Sequence, residues 1–182
     1  MKSIAGSFGV KSIQGFDVYW LNNDEVELAV VPGLGAKMIS LRNLRTEREW
    51  MWHPEGGLNL FRNQMGDDFS SSPLVGTDEC LPTIAPCRWQ NRALPDHGEV
   101  WSLPWNVAKD AFEYGILKTS IRLPISPFKL ERTIELDGND VWLAYQLTNL
   151  NSLEESFCGR FIHFCGCRRA INLNCRFPRV AC

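Results

Sequence analysis

No stretch of the sequence strings together the roughly 18 apolar residues that a membrane-spanning helix needs, so neither a helical membrane span nor a membrane partner is expected. Basic charge is not in excess either. The formal net charge is -2 and the pI about 5.9, which denies the chain the basic surface that phosphate backbones require, and nucleic acid is not expected as a partner. The opening MKSIAGSFGV has a single lysine and no sustained apolar run, unlike a secretory signal, and the expectation is a cytoplasmic protein. Upstream of residue 157 no run of a dozen residues follows helical spacing. Metal-ligand spacing is also missing. Cys165 and Cys167 stand as C-x-C rather than C-x₂₋₄-C, and no second spaced pair follows, so neither a metal nor another cofactor is expected. Cys80 and Cys87 read as small buried hydrophobes.

What is present is enough for one globular domain with a core: 182 residues, 45% of them hydrophobic and 22% charged. The patterning is that of strands. Phe8 to Trp20 is punctuated by glycine and fits an opening strand pair. Val26, Leu28 and Val30 alternate with Glu25, Glu27 and Ala29, the pattern of a half-buried strand, until Pro32-Gly33 ends the run. Gly35 to Leu41 reads as the next strand, followed by a charged turn over 42–48 and an aromatic cluster from Trp50 to Pro54, in which His53 reads as a turn residue. Between Glu55 and Pro73 the chain is polar, rich in Gly, Asn, Asp and Ser and without periodicity, which reads as a long surface loop that carries Arg62. Alternation returns at Leu117 to Leu123 and at Phe128 to Leu136. Asp137-Gly138-Asn139-Asp140 then turns the chain into Val141 to Leu147, a β-hairpin. The fold is expected to be all-β and antiparallel.

One stretch gathers chemistry: GTDECLPTIAPCRWQNRALPDHGEVWSLPW, from Gly76 to Trp105. It holds Asp78, Glu79, Asp96, His97 and Glu99, three of the seven tryptophans, and four prolines that stiffen the backbone between them. Carboxylates and imidazole hydrogen-bond hydroxyls and move protons, while indole faces cover apolar pyranose surface, and a sugar site needs that mixture. The candidate substrate-binding residues are His97, Asp78, Glu79, Glu99 and Trp101. Each has a plainer alternative: an orienting or surface histidine at 97, solvated acids at 79 and 99, and core or cleft wall at Trp101 and Trp105.

Four segments in order, Val30 to Leu41, Thr46-Glu47-Arg48-Glu49-Trp50, Gly76 to Ile84, and Asp96-His97-Gly98-Glu99-Val100-Trp101, resemble the galactose mutarotase-like or aldose 1-epimerase-like family. That resemblance spans most of residues 25 to 150. It implies a large antiparallel β-sandwich, the galactose mutarotase-like supersandwich, with a sugar held in a cleft on one sheet face, and hence a monosaccharide or sugar derivative as partner. In that family a glutamate removes the anomeric proton and a histidine protonates the ring oxygen, while a second histidine and an arginine hold hydroxyls. His97-Gly98 is similar to the family's substrate-binding His-Gly, and Asp78-Glu79 to an acidic pair in its epimerase-like branch. The catalytic glutamate and histidine have no recognisable counterpart, so the catalytic residues stay unassigned. An epimerase, a non-catalytic sugar-binding domain and an incomplete inactive product all remain open.

The chain changes character near Ser156. Residues 1–156 carry 14 basic residues against all 21 acids, a balance of -7, whereas residues 157–182 carry five arginines, no acid, and five of the seven cysteines. Residues 157–182 are accordingly expected to be an atypical tail, and 1–156 the N-terminal part of a truncated sandwich. The codons permitted for Phe157 to Cys165, read one base out of register, spell Leu-Trp-Ala-Val-His-Pro-Leu-Leu. This resembles the family's motif around its acid histidine, and a frame-shifted tail is the expectation.

Overall fold

The computed structural model describes residues 6–163 and 174–176. Two five-stranded sheets form the body. The first is a meander, β1 (Ser7–Ile13), β2 (Phe16–Asn22), β3 (Val26–Val31), β4 (Lys37–Asn43) and β5 (Arg48–Glu49), each strand antiparallel to the next. The smaller strands β6 (Thr77–Cys80), β7 (Cys87–Trp89) and β8 (Arg92–Leu94) lie between the two sheets in sequence. The second sheet follows: β9 (Asn106–Val107), one helical turn α1 (Lys109–Phe112), β10 (Leu117–Arg122), β11 (Phe128–Asp137) and β12 (Asp140–Asn149). Its order is β9-β10-β11-β12, antiparallel throughout, with β14 (Asn174–Arg176) added parallel to β12. β13 (Arg160–His163) pairs antiparallel with β6, and β7 pairs with β8. Of the tail from 157 to 182, residues 164–173 and 177–182 lie outside the described residues.

The alternation expected of the hairpin is realised in register from Phe128↔Asn149 to Asp137↔Asp140. Its inward set, Phe128, Leu130, Ile134, Leu136, Val141, Leu143 and Tyr145, packs against Leu21, Val26, Leu28, Val30, Met38 and Leu41 of the first sheet in one core. Burying each such aliphatic side chain is worth about 1.5–3 kcal/mol, which is what closes one sheet on the other. The hairpin's turn is pinned to the far sheet by Asn23 Nδ2 donating to the Gly138 carbonyl at 2.8 Å.

Three expectations need correction. β3 is buried on both faces near its end, because a second cluster of Val18, Ala29, Val31, Leu34, Ile39, Leu60 and Val75 covers the outer face of the first sheet. The segment 55–73 is therefore only partly a surface loop: Leu60 and Phe69 are inside, and a 3₁₀ turn at Phe69–Ser71 gives it local structure. Cys80 is buried, but Cys87 is exposed, since it lies on an outlying hairpin with no layer over it. Gly76 explains how β6 enters the interior. At φ +68 a Cβ there would lie 1.8 Å from the Met38 carbonyl oxygen, so only glycine lets β6 press onto β4.

Candidate functional site

β6 is buried at all four residues, and the chain that follows returns to it. Leu81 bridges Gly98, the Glu99 amide donates to the Leu81 carbonyl at 2.7 Å, and the His97 amide donates to the Ile84 carbonyl at 2.9 Å. Gly98, at φ +78, permits this approach, since a Cβ would stand 2.1 Å from the Leu81 oxygen. His97 is itself left-handed, at φ 54, a conformation that costs a non-glycine residue free energy and is held here by the hydrogen bonds on either side.

The imidazole of His97 lies parallel to the ring of Phe69, centroids 4.0 Å apart and planes at 14°. Phe69 meets Trp101 edge-on at 5.2 Å, and the Trp101 indole N–H donates to the Asp96 carbonyl at 3.2 Å. The Asp96 carboxylate joins the two segments. Its Oδ2 accepts from the Phe69 amide at 3.2 Å, and its Oδ1 sits 2.9 Å from His97 Nδ1, an ion-pair contact without the alignment of a hydrogen bond. His97 Nδ1 is buried while the side chain as a whole is 24% exposed, so the open part of the side chain lies away from Nδ1. Asp68, which caps the 3₁₀ turn by accepting from the Ser70 amide, adds a further negative charge that acts on His97; the Ser70 bonds hold its carboxyl below the usual range.

Beneath this surface lie two buried ion pairs. Lys37 Nζ contacts Asp78 Oδ2 at 2.5 Å, with both side chains inside. Burial dominates for each: desolvation pushes the Lys37 ammonium down and the Asp78 carboxyl up, and their mutual attraction offsets only part of it. The second pair joins Glu79 to Arg132 of β11 at 2.8 Å, with Tyr145 OH also donating to the same Glu79 oxygen. Arg132 donates onward to the Ala36 carbonyl and lies 5.5 Å from the Trp105 ring centroid. Desolvation again raises the Glu79 carboxyl, against Arg132 and Tyr145. The same burial pushes the Cys80 thiol up to about 12.

Glu99 is fully buried, and both of its oxygens are engaged, Oε2 by the Ile125 amide at 2.6 Å and Oε1 by the Ser126 amide at 3.1 Å. It ties the turn between β10 and β11 to the His97 segment. Of the five residues singled out in the sequence, His97 is thus partly open to solvent, Trp101 is buried against Phe69, and Asp78, Glu79 and Glu99 lie below in intramolecular bonds. Arg62 is exposed with its guanidinium beside Gly33, and His53 Nε2 lies 2.7 Å from the Ile39 carbonyl. Lys37, Phe69, Arg132 and Tyr145 were not foreseen. Arg132 carries the one sequence signal among them, a charged residue in phase with the apolar face of its strand.

No protein-family model and no curated protein matches the chain. Solved structures do. A galactose mutarotase-like protein from Lactobacillus casei is 14% identical, with a TM-score of 0.57, over 85% of this chain and 48% of its own. YeaD from Salmonella typhimurium, a protein assigned as a mutarotase, is 17% identical, with a TM-score of 0.51, over 75% of this chain and 45% of its own. The fold is galactose mutarotase-like, and the chain spans about half the length of either structure.

Proposed function

We propose that this galactose mutarotase-like chain is a carbohydrate-binding, aldose 1-epimerase-like protein of the cytoplasm that receives a monosaccharide or sugar derivative against the open edge of His97. The observation that carries this is the asymmetry of the imidazole. Nδ1 is buried against Asp96 while the side chain stays partly open, which leaves Nε2 as the ring nitrogen that can meet a hydroxyl, accepting a hydrogen bond when it is unprotonated and donating one when it is protonated. Phe69 backs the ring with apolar surface and Trp101 in turn backs Phe69, and the strained backbone at His97 fits a site whose geometry is fixed in advance. Asp78, Glu79 and Glu99 serve as the frame below.

Mutarotation needs a base at the anomeric hydroxyl and an acid at the ring oxygen. Asp78, Glu79 and Glu99 are buried, with Asp78 Oδ2, Glu79 Oε1 and both Glu99 oxygens in internal bonds, so none of the three presents an open carboxylate to be that base. This favours binding without turnover for the 182-residue chain. Isothermal titration with galactose and glucose tests the site. His97→Ala should weaken binding by roughly 1 to 3 kcal/mol, the cost of leaving a buried hydroxyl unpartnered. Unchanged affinity in a folded variant removes the sugar from this edge, and polarimetry showing rapid anomer equilibration refutes binding without turnover.

A further inference from the structure

We propose that Phe69 is a positioning residue for His97, and that the turn from Asp68 to Ser72 is a working part of the site rather than a connection that passes it. The inference rests on the sugar reading of the His97 edge for its functional half, and on geometry alone for its structural half. An imidazole at the tip of a side chain with two rotatable bonds has no fixed plane unless neighbours supply one. The contact with Asp96 constrains a single atom, Nδ1, and lacks hydrogen-bond alignment, so the ring could still swing about it. Phe69 removes that freedom. Its ring covers one face of the imidazole at 4.0 Å and 14°, so any rotation of His97 about χ1, or about χ2 short of a half-turn, breaks the stack, and a half-turn about χ2 takes Nδ1 away from Asp96.

Phe69 is able to impose an orientation because it is itself held on several sides. Only 8% of it is exposed, its ring abuts Trp101, and its amide is bonded to Asp96. Its turn is closed by the Ser71 amide on the Asp68 carbonyl at 3.0 Å and by the Ser72 amide on the Phe69 carbonyl at 3.0 Å. Asn63 Nδ2 adds a bond to Ser71 Oγ at 3.2 Å. One carboxylate, that of Asp96, therefore takes the backbone of Phe69 on one oxygen and the imidazole of His97 on the other. The ring plane and the ring nitrogen are thereby set by the same assembly. The direction in which Nε2 points is then fixed before any ligand arrives, which spares the ligand the ordering of that side chain.

Two measurements on the full 182-residue chain separate positioning from packing. Three-bond couplings across χ1 of His97 should report a single rotamer in the unmodified chain and averaged rotamers in Phe69→Leu. Phe69→Tyr, which keeps the ring, should keep the single rotamer. In isothermal titration with galactose and glucose, Phe69→Leu should weaken the affinity about two- to tenfold while Phe69→Tyr restores it. If Phe69→Leu does not fold, Phe69→Met carries the same comparison at similar volume. A folded Leu or Met variant whose His97 couplings stay those of one rotamer overturns the proposal, whatever its affinity. Averaged couplings with unchanged galactose and glucose affinity overturn the functional half. Absence of any galactose or glucose binding by the unmodified chain sinks the sugar reading, and the couplings still decide whether Phe69 orients His97.

Discussion

Replacing Arg132 with methionine isolates the charge that joins the two sheets. In the folded chain Arg132 is fully buried, bonded to Glu79 at 2.8 Å and to the Ala36 carbonyl. Methionine fills much of the volume, so little cavity cost accompanies the loss of charge. What remains is a Glu79 carboxylate with Tyr145 as donor and no counter-ion, together with a bare Ala36 carbonyl. Removing one partner of a buried pair costs about 3–5 kcal/mol, a large share of the roughly 5–15 kcal/mol that a domain possesses. At this chain length the melting temperature should fall by about 6–20 °C. The pH dependence fixes the cause. Desolvation already raises the folded Glu79 carboxyl above its unfolded value, and loss of the guanidinium raises it further. The folded state therefore binds that proton more tightly than the unfolded chain. The penalty is absent below the unfolded value and grows as pH rises through the folded one, so the deficit of Arg132→Met should shrink on acidification. Paired urea titrations at neutral and mildly acid pH measure it. A loss under about 1 kcal/mol at neutral pH, or a deficit that widens in acid, refutes the assignment of Arg132 as the counter-ion of Glu79.

Alkylation of the native chain at mildly basic pH, followed by peptide mapping, should leave Cys80 unmodified and label Cys87: burial holds the Cys80 thiol near 12 while Cys87 is exposed, and labelling of Cys80 at a comparable rate would contradict its burial. Sequencing the gene around codon 156 should reveal a single-base insertion or deletion whose repair opens a frame encoding Trp-Ala-Val-His-Pro-Leu-Leu, and an uninterrupted frame without that motif would establish residues 157–182 as the native tail.

The strands were legible because one buried face imposes a period of two on the sequence, and Asp137-Gly138-Asn139-Asp140 marks a turn by backbone preference alone. His97 was singled out through its motif. Its surroundings were not, since each depends on contacts far apart in the chain. Phe69 sits in a stretch without periodicity, and nothing local says that its amide meets Asp96, 27 residues on. Arg132 interrupts the apolar alternation of β11, and its meaning comes only from Glu79, 53 residues away. The two-sided burial of β3 was invisible for the same reason: of the residues covering its outer face, Leu60 lies in a segment whose composition reads as solvated and Val75 just after it. Cys87 was misjudged because residue type alone favours burial, whereas exposure follows from the hairpin it occupies.

The tie between Asn23 and Gly138 bears on how quickly the native state is reached. Within each sheet the strands from β1 to β5 and from β9 to β12 join sequence neighbours, so either meander can zip up from its own turns. Across the sheets the separations are long: 115 residues for Asn23 and Gly138 and 96 for Arg132 and Ala36. Closing a loop of the longest kind costs about 2 kcal/mol more entropy than closing one of ten residues, and no contact repays it until the sheets meet. Folding is thus expected in the slow, millisecond-to-second regime of non-local β topologies, with docking of two preformed meanders as its late event. Dehydration of Arg132 and Glu79 falls within that same event. Substitutions along the seam between the sheets should therefore change the unfolding rate more than the folding rate, and those in the hairpin turns the reverse.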